Sequence, residues 1–207
     1  MASEEQSTEL RLSVSQALHT RIYERSDRAK SLRQGEILTD IVQVKLQLDS
    51  LTEETAFIDS VNHPYAIIVS QDCDLIQDFG ARNNAGVSSD KLLPSVLFCE
   101  VVTAEELRGR EGIKSDIWKR IRANKDERYQ FLEKVQPQDD ACDVGLPELG
   151  IDFKRYFSLP TEEVYYRLDL DTKRRCRLVT PYAEHVSSRF CYYLVRIALP
   201  RDHYSEA

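Results

Sequence analysis

A short polar motif follows an apolar stretch that is typical of a buried strand. Residues 66–69 are all apolar, and Gln71, Asp72, Cys73 and Asp74 come almost directly after them. Strand ends beside loops are where binding and catalytic side chains are often placed. Two carboxylates that flank a thiol could bind a divalent cation, support a cysteine nucleophile, or shape a turn before the next helix. In a binding role, Gln71 and Cys73 would contact the ligand or partner.

Each chemical use of this motif needs partners elsewhere in the chain. Two aspartates are too few for a cation site unless Asp78, Glu100 or Glu36 completes the shell, and we assign no metal ligand. A nucleophilic thiol needs a base such as His63 or His185. Two neighbouring negative charges also disfavour the thiolate form of Cys73. The favoured interpretation is a structural turn, with Asp72 capping a helix and Cys73 in a small buried slot. If the motif is catalytic, we assign catalysis to Asp72, Asp74 and His63.

Two short stretches concentrate positive charge. Residues 119–125 and residues 173–177 each contain four lysines or arginines. Neighbouring acids balance both stretches and no aromatic side chains are interleaved for base stacking, so solvated surface is the favoured interpretation. The candidate contacts for a phosphate-bearing partner are Arg120, Arg122, Arg174 and Arg175.

The composition is that of an ordinary globular protein with an acidic surface. The chain has 207 residues, of which 42% are apolar and 30% charged, and this length fits one domain. A net charge of −7 disfavours nucleic acid, although a local basic patch can still bind it. Five cysteines without a C-x-x-C pair predict reduced thiols. No segment reads as a signal peptide or membrane span, so we expect a cytoplasmic protein without membrane contact and without a cofactor.

Hydrophobic periodicity predicts a mixed α+β fold. We expect a helical extension over residues 1–31, a single domain over residues 32–200 and a tail over residues 201–207. A loop is predicted over residues 80–92 because Gly, Asn and Ser are frequent there. The predicted strands cover residues 35–44, 65–70, 95–102, 129–135, 150–157 and 176–179. The predicted helices cover residues 8–25, 75–79, 104–107, 113–124 and 181–199.

The opening of the predicted domain resembles that of the MazF/PemK-like toxin barrels. A basic residue, a glycine and an acid occur within residues 33–36, immediately before a predicted strand. Further along, His63 and Pro64 precede an apolar strand that ends in Ser70, where those proteins have Arg-Pro, apolar residues and Ser. The resemblance covers residues 32–74, about a fifth of the chain.

This resemblance implies an SH3-like, partly open β-barrel with helical additions at both ends. The family's arginine before proline is His63 here, and no later strand matches the one that carries its catalytic Thr or Ser, so ribonuclease activity is not implied. The motif at residues 70–74 and the segment at residues 180–200 also resemble those of uncharacterised bacterial proteins, some of them from phage-defence loci.

Two functions stay open at this point. The first is a bacterial, cytoplasmic binding or regulatory module that acts by contact with a protein partner, in an antiviral-defence or toxin–antitoxin-like system. It is favoured because the chain is acidic, lacks a complete catalytic set and has an N-terminal helix predicted to be available for docking. The alternative is a nuclease or other hydrolase that uses Asp72 and Asp74 with His63, beside the loop at residues 80–92.

Overall fold

One antiparallel sheet organises the part of the chain that the structure describes. The computed structural model describes residues 21–27, 29–47, 49, 56–84 and 88–196, and these form seven strands and five helices. The strands are β1 (Tyr23–Arg25), β2 (Glu36–Leu46), β3 (Ile58–Ile68), β4 (Ser95–Thr103), β5 (Tyr129–Leu132), β6 (Leu149–Pro160) and β7 (Lys173–Leu178). The helices are α1 (Asp72–Asn83), α2 (Ala104–Gly109), α3 (Ser115–Arg122), α4 (Thr161–Leu170) and α5 (Tyr182–Val195).

The strand order is β1-β7-β2-β3-β4-β6-β5, and every neighbouring pair is antiparallel. The last strand, β7, therefore lies between the first two. Its pairing with β2 shifts register, since Ile37 faces Cys176 while Leu38 faces Arg174. This bulge leaves Arg175 without a partner on β2.

Both faces of the sheet are covered. Successive strand residues point to opposite faces, so Ile37 and Leu38 belong to different core clusters. Phe190 of α5 packs in the cluster that contains Ile37. Leu75 of α1 and Val164 of α4 pack in the cluster that contains Leu38. This double coverage explains why several strands are continuous apolar runs rather than alternating ones.

The two ends of the strand order approach each other. The Tyr23 hydroxyl of β1 donates a hydrogen bond of 2.7 Å to the carbonyl of Glu133, directly after β5. Tyr23 and Leu132 also share one core cluster. The sheet is open nevertheless, because no backbone ladder joins β1 to β5 in the described residues.

The predicted mixed α+β fold is confirmed, and so are several of its elements. The strands predicted over residues 35–44 and 95–102 are present, as is the pair predicted over residues 129–135 and 150–157. The C-terminal helix is also present, although Pro181 is its N-cap and the helix itself begins at Tyr182.

Other predicted boundaries are wrong. Residues 23–25 form a strand of the sheet instead of the end of the predicted N-terminal helix. Helix α1 is longer than predicted, because the loop expected over residues 80–92 starts with the last turn of that helix. Helix α4 was not predicted at all. The rest of the predicted N-terminal helix and the tail at residues 201–207 lie outside the described residues.

None of the helices in the described part of the chain combines the length and apolar character needed to cross a membrane.

Candidate functional site

The carboxylate of Asp72, in the polar motif, accepts hydrogen bonds from several groups of the protein. It is the first residue of α1, and its carboxylate accepts hydrogen bonds from Arg33 Nε at 2.8 Å and from the backbone N–H of Gln34 at 2.9 Å. Arg177 Nη2 lies 3.4 Å from the other oxygen. Burial opposes ionisation, but the bonds from Arg33 and Gln34 outweigh it and lower the pKa of Asp72. Asp72 thus ties the start of α1 to the connection between β1 and β2.

The other members of the motif lie at the surface. Gln71 is the N-cap residue of α1, but its side chain makes no capping hydrogen bond. The Cys73 side chain is exposed, with its Sγ atom 3.6 Å from Gln71 Oε1 and from Asp74 Oδ1. Asp74 is exposed as well. The prediction that Asp72 caps the helix is therefore wrong, because Gln71 is the N-cap residue and no side chain of the described residues caps α1. The buried slot expected for Cys73 is wrong as well.

His63 lies far from this motif along the same strand. The N–H of Gly35, next to the residues that hold Asp72, bonds to the carbonyl of Ile68 at the end of β3. Five strand positions separate His63 from Ile68, which corresponds to about 16 Å at the usual rise of a strand. The structure therefore does not bring His63 together with Asp72 and Asp74. His185 is on α5 and is exposed.

The actual neighbours of His63 come from β2, β4 and β6. Its ring stacks on Phe157 with the centroids 4.0 Å apart and the planes at 10°. Its Nδ1 atom lies 3.8 Å from Glu100 Oε2, and its Nε2 atom lies 3.4 Å from Gln43 Oε1. Burial lowers the pKa of His63 and outweighs the opposite effect of Glu100. The imidazole is therefore neutral near pH 7, with loose polar contacts on both nitrogens.

Glu100 joins His63 to a buried ion-pair network. Arg110 Nη2 lies 3.3 Å and Arg155 Nη1 lies 3.1 Å from Glu100 Oε1. The wholly buried Asp152 accepts from Arg110 at 2.9 Å and from Arg128 at 2.8 and 2.7 Å. A register shift between β4 and β6 positions this network, because Cys99 faces Tyr156 while Glu100 faces Asp152. Arg155 lies in the segment of β6 that this shift leaves unpaired.

A cavity of about 360 Å³ opens beside His63. Phe157 and Tyr156 supply aromatic surface, and Lys45 and Arg155 supply positive charge. The remaining lining residues are Gln43, Val61 and Glu100. A neutral imidazole next to a carboxylate and an exposed guanidinium is suited to proton transfer on an anionic substrate.

Strands β2 and β3 extend beyond the sheet as a two-stranded arm, which we define as residues 41–46 and 57–63. Strand β7 pairs with β2 only as far as Thr39, and β4 pairs with β3 only from Tyr65 onward. Among the described residues, no strand pairs with either outer edge of the arm. Large apolar side chains are exposed near its tip: Val44 by 49%, Leu46 by 47%, Phe57 by 58% and Ile58 by 67%.

Two arginines of the basic stretch at residues 173–177 are not on a solvated surface, although Lys173 is exposed. Arg174 donates to Glu36 at 2.6 and 2.8 Å, and Arg175 donates to Asp140 at 2.8 and 2.6 Å. All four side chains are buried. A buried guanidinium is tolerated when a carboxylate and carbonyl groups take up its donors, and that is the reason for the difference.

The other basic stretch is at the surface, as predicted. Arg120 is mostly exposed and bonds to Asp126 at 3.0 Å. The Arg122 guanidinium lies over the Phe131 ring, 5.3 Å from its centroid. Since Arg174 and Arg175 are buried, the four candidate arginines do not form one cationic face.

Two further searches bear on the chemistry of the site. Within the described ranges, no three His, Cys, Asp or Glu side chains are arranged to hold a metal ion. No family model, curated protein or solved structure matches the chain.

Two acidic residues of the network beside His63 could be recognised in the sequence, because each lies inside an apolar strand. Glu100 interrupts the apolar strand at residues 96–102, and Asp152 interrupts another at residues 149–153. A charge inside an apolar strand is costly unless it is paired, so both positions predict buried cationic partners. The identity of those partners had no signal, because Arg110 and Arg155 lie 10 and 55 positions from Glu100.

Proposed function

We propose that the protein is a binding module that recognises an extended segment of a partner protein through the β2–β3 arm. The observation that carries this proposal is the combination of two outer edges that no strand of the described residues pairs with and four exposed apolar side chains. Unpaired strand edges present backbone donors and acceptors that an incoming strand can pair with. The apolar side chains at the tip would then be covered by the partner.

The isolated position of the arm supports this function. A two-stranded hairpin without further strands is marginally stable in water, so an arm of this kind gains order when a third strand joins it. The finer expectation of an SH3-like, PemK-like barrel stays part of this proposal, and the contact between Tyr23 and Glu133, which draws the two ends of the open sheet together, supports it. The base of the arm is part of the core, where Ile41 and His63 are buried, whereas the apolar side chains near its tip are exposed.

The test compares two charge substitutions at exposed apolar positions. Ile58→Asp lies on the arm, and its matched control Ile76→Asp lies on α1, where the side chain is 48% exposed. Tagged wild type and variants are used for quantitative affinity purification from host lysate after nuclease treatment, and light scattering gives their oligomeric state. We expect one protein retained by wild type and Ile76→Asp and lost from Ile58→Asp, with direct binding confirmed using purified components.

Two results would count against the arm as a partner site. One is a partner that Ile58→Asp retains as well as wild type does. The other is a wild-type dimer that Ile58→Asp dissociates, since this result would assign the arm to self-association.

A second candidate function is hydrolysis of phosphodiester bonds, and the cavity beside His63 favours it. In this proposal neutral His63 accepts a proton from the attacking water as the water oxygen bonds to phosphorus. The bond from phosphorus to the leaving oxygen breaks, and that oxygen takes up a proton from solvent. Arg155 neutralises the phosphate, and Glu100 orients the imidazole. The distances of 3.4 and 3.8 Å around the imidazole are long for hydrogen bonds. Catalytic contacts are often long in a free enzyme and shorten when substrate binds.

The hydrolase proposal is tested with labelled single-stranded RNA and DNA, with and without divalent cations. His63→Gln and Glu100→Gln should abolish cleavage, while His185→Gln and Asp74→Asn should leave it unchanged. Cleavage that survives His63→Gln would rule out this cavity as the active site.

A further inference from the structure

We propose that the protein binds a small aromatic carboxylate in a cavity beside β5. The cavity lies between residues 22–23, residues 130–134 and the first turns of α5, and we call it the β5 cavity. Its volume of about 480 Å³ exceeds that of the cavity beside His63 and lies within the usual range of small-molecule pockets, about 300–1,000 Å³. It shares no lining residue with that cavity or with the β2–β3 arm, so this site is independent of both functions proposed above.

Part of the lining of the β5 cavity is apolar. Leu132, Leu178 and Val186 line it and belong to one buried core cluster. The rings of Phe131 and Tyr182 line it as well. An aromatic ring buries a large apolar area and packs favourably against other rings, so it suits this part of the lining.

Two side-chain amides line the same cavity, and their oxygens are already occupied. Gln130, which is only 4% exposed, accepts a hydrogen bond from Arg189 at its Oε1 atom, and Asn124 Oδ1 accepts from the backbone N–H of Phe131 at 2.7 Å. In the described part of the chain, neither NH₂ group donates to a protein acceptor, and neither nitrogen is among the unpaired side-chain atoms that solvent cannot reach. A ligand oxygen in the cavity would supply the acceptor that these two donors lack.

The charged side chains of the lining favour a carboxylate over a phosphate. Two cations, Arg122 and Lys134, and two acids, Glu133 and Glu148, line the cavity, and all four residues are exposed. A phosphate group carries nearly two negative charges at pH 7 and would be repelled by both acids, whereas a carboxylate carries one charge and offers two acceptor oxygens. The Arg122 guanidinium lies 3.8 Å from Glu148 Oε1, too far for a hydrogen bond, so its donors are available to a ligand.

The backbone beside the cavity favours a small molecule over an added strand. Strand addition needs free N–H and carbonyl groups along an edge. Here the N–H of Phe131 is bonded to Asn124, and the N–H of Tyr129 is bonded to an aspartate side chain. The carbonyl of Glu133 accepts from the Tyr23 hydroxyl. These side chains occupy the backbone groups that an incoming strand would use, and they leave the cavity itself open.

Titration calorimetry of the wild-type protein with indole-3-acetate and with 3-phenylpropanoate tests the site. The comparison ligands are indole-3-acetamide, which has the same ring without the charge, and acetate, which has the carboxylate without the ring. We expect indole-3-acetate to bind about tenfold more tightly than either, because it alone gains the ring contacts and the charge-assisted hydrogen bonds. Absence of binding by both aromatic carboxylates at millimolar concentration would overturn the proposal, and so would equal affinities for indole-3-acetate and indole-3-acetamide.

Two isosteric variants locate the binding. Gln130→Glu and Asn124→Asp each keep the oxygen that accepts a protein hydrogen bond and replace the NH₂ group with a second oxygen. Each should weaken indole-3-acetate about tenfold through repulsion of like charges and leave indole-3-acetamide bound, since the NH₂ group of that ligand can donate to the new carboxylate. The matched control is Gln138→Glu, which makes the same change at an exposed position outside the cavity and should alter neither affinity. Unchanged affinity of Gln130→Glu for indole-3-acetate would place the ligand elsewhere.

A pair of arginine variants tests the contact with the carboxylate at the surface. Arg122→Met removes a cation that lines the cavity, and its control Arg120→Met removes one from the same helix outside it. The two side chains are 56% and 58% exposed, so neither substitution disturbs the core. We expect Arg122→Met to weaken indole-3-acetate about tenfold and Arg120→Met to leave its affinity unchanged. Equal losses would show that net charge, rather than a bond in this cavity, sets the affinity, and would contradict the proposal.

Discussion

Asp72 and His63 differ in how completely their polar atoms are hydrogen-bonded, although His63 lies in strand β3 and Asp72 follows that strand closely. Asp72 accepts hydrogen bonds from two arginines and one backbone amide, which fill its acceptor sites. His63 is more deeply buried, yet its two nitrogens have contacts of only 3.4 and 3.8 Å. A polar group whose hydrogen-bonding sites are all occupied stabilises the fold, whereas a buried polar group with poorly occupied sites can still bind a ligand.

The buried ion pairs of β7 resemble Asp72, because their hydrogen-bonding sites are also occupied by the protein. Asp140 accepts two bonds from Arg175 and further bonds from the backbone N–H groups of Cys142, Val144 and Gly145. It thereby attaches β7 to the segment that follows the 3-10 turn at Pro137–Asp139. Substitutions in these two kinds of environment should differ in size, in pH range and in what they disturb.

The largest effect is expected for Asp140→Ala, because it leaves Arg175 buried without a counter-charge. We expect a loss of about 3–5 kcal/mol in the free energy of unfolding. The control is Asp139→Ala, whose partner Arg21 is 62% exposed, and that variant should lose less than about 1 kcal/mol. Urea unfolding followed by circular dichroism measures both, and similar losses would show that burial does not separate the two pairs.

The next effect is expected for Asp72→Asn. The amide cannot bind Arg33 and Arg177 as the carboxylate does, so the free energy of unfolding should fall by about 1–3 kcal/mol. Asp74→Asn, two residues further along and exposed, should change it by less than about 0.5 kcal/mol. An equal response of the two variants in urea unfolding would remove Asp72 from the residues that stabilise the fold.

A smaller change in the free energy of unfolding is expected when the pH is lowered. The pKa of His63 is lowered from 6.5 on folding, so the unfolded chain takes up the proton more readily. The contribution of His63 is present above about pH 6.5 and is lost as the pH falls through that value. The pKa of Asp72 is also lowered on folding, from 3.8, so its contribution is lost only in more acidic solution.

Urea midpoints measured across both pH ranges separate these two residues. His63→Gln should reduce the loss of stability between about pH 7.5 and 5.5, and Asp72→Asn should reduce the loss below about pH 4. A His63→Gln profile that coincides with that of wild type in the first range would show that the imidazole is not held neutral by burial.

The smallest effect on stability is expected for Arg155→Met. This side chain is 57% exposed and bonds to Glu100 at the edge of the cavity, so the free energy of unfolding should change by less than about 1 kcal/mol. Chemical denaturation checks this value. A loss as large as that of Asp140→Ala would show that Arg155 stabilises the fold and does not merely line the cavity.

Much of the fold was predictable because its elements have local signals. Apolar runs bounded by turn residues located β2 and β4, and the spacing of apolar residues located α5. Helix α1 was underestimated because Gly80 and several polar residues suggested a loop, while the core contact of Leu75 and the pairing of Asp78 with Arg82 support a helix. Tertiary contacts of this kind override local propensity.

The candidate site was only partly predictable. His63 and Asp72 were both identified from residue type, but the sequence gives no measure of how far apart a long strand places them. The arginines of β7 were misjudged for a related reason, since charge alone predicts exposure unless the partners Glu36 and Asp140 are known. Long-range pairing decides these cases, and a single sequence does not contain it.

The position of β7 has a consequence for synthesis of the protein. Since β7 lies between β1 and β2, the ion pair of Glu36 with Arg174 joins residues 138 positions apart. A chain emerging from the ribosome therefore presents one edge of β2 bare until the last strand has left the exit tunnel. Sheets closed by such distant pairings form slowly and expose aggregation-prone edges meanwhile. That edge of β2 is therefore covered only after β7 has been synthesised, unless a chaperone covers it earlier.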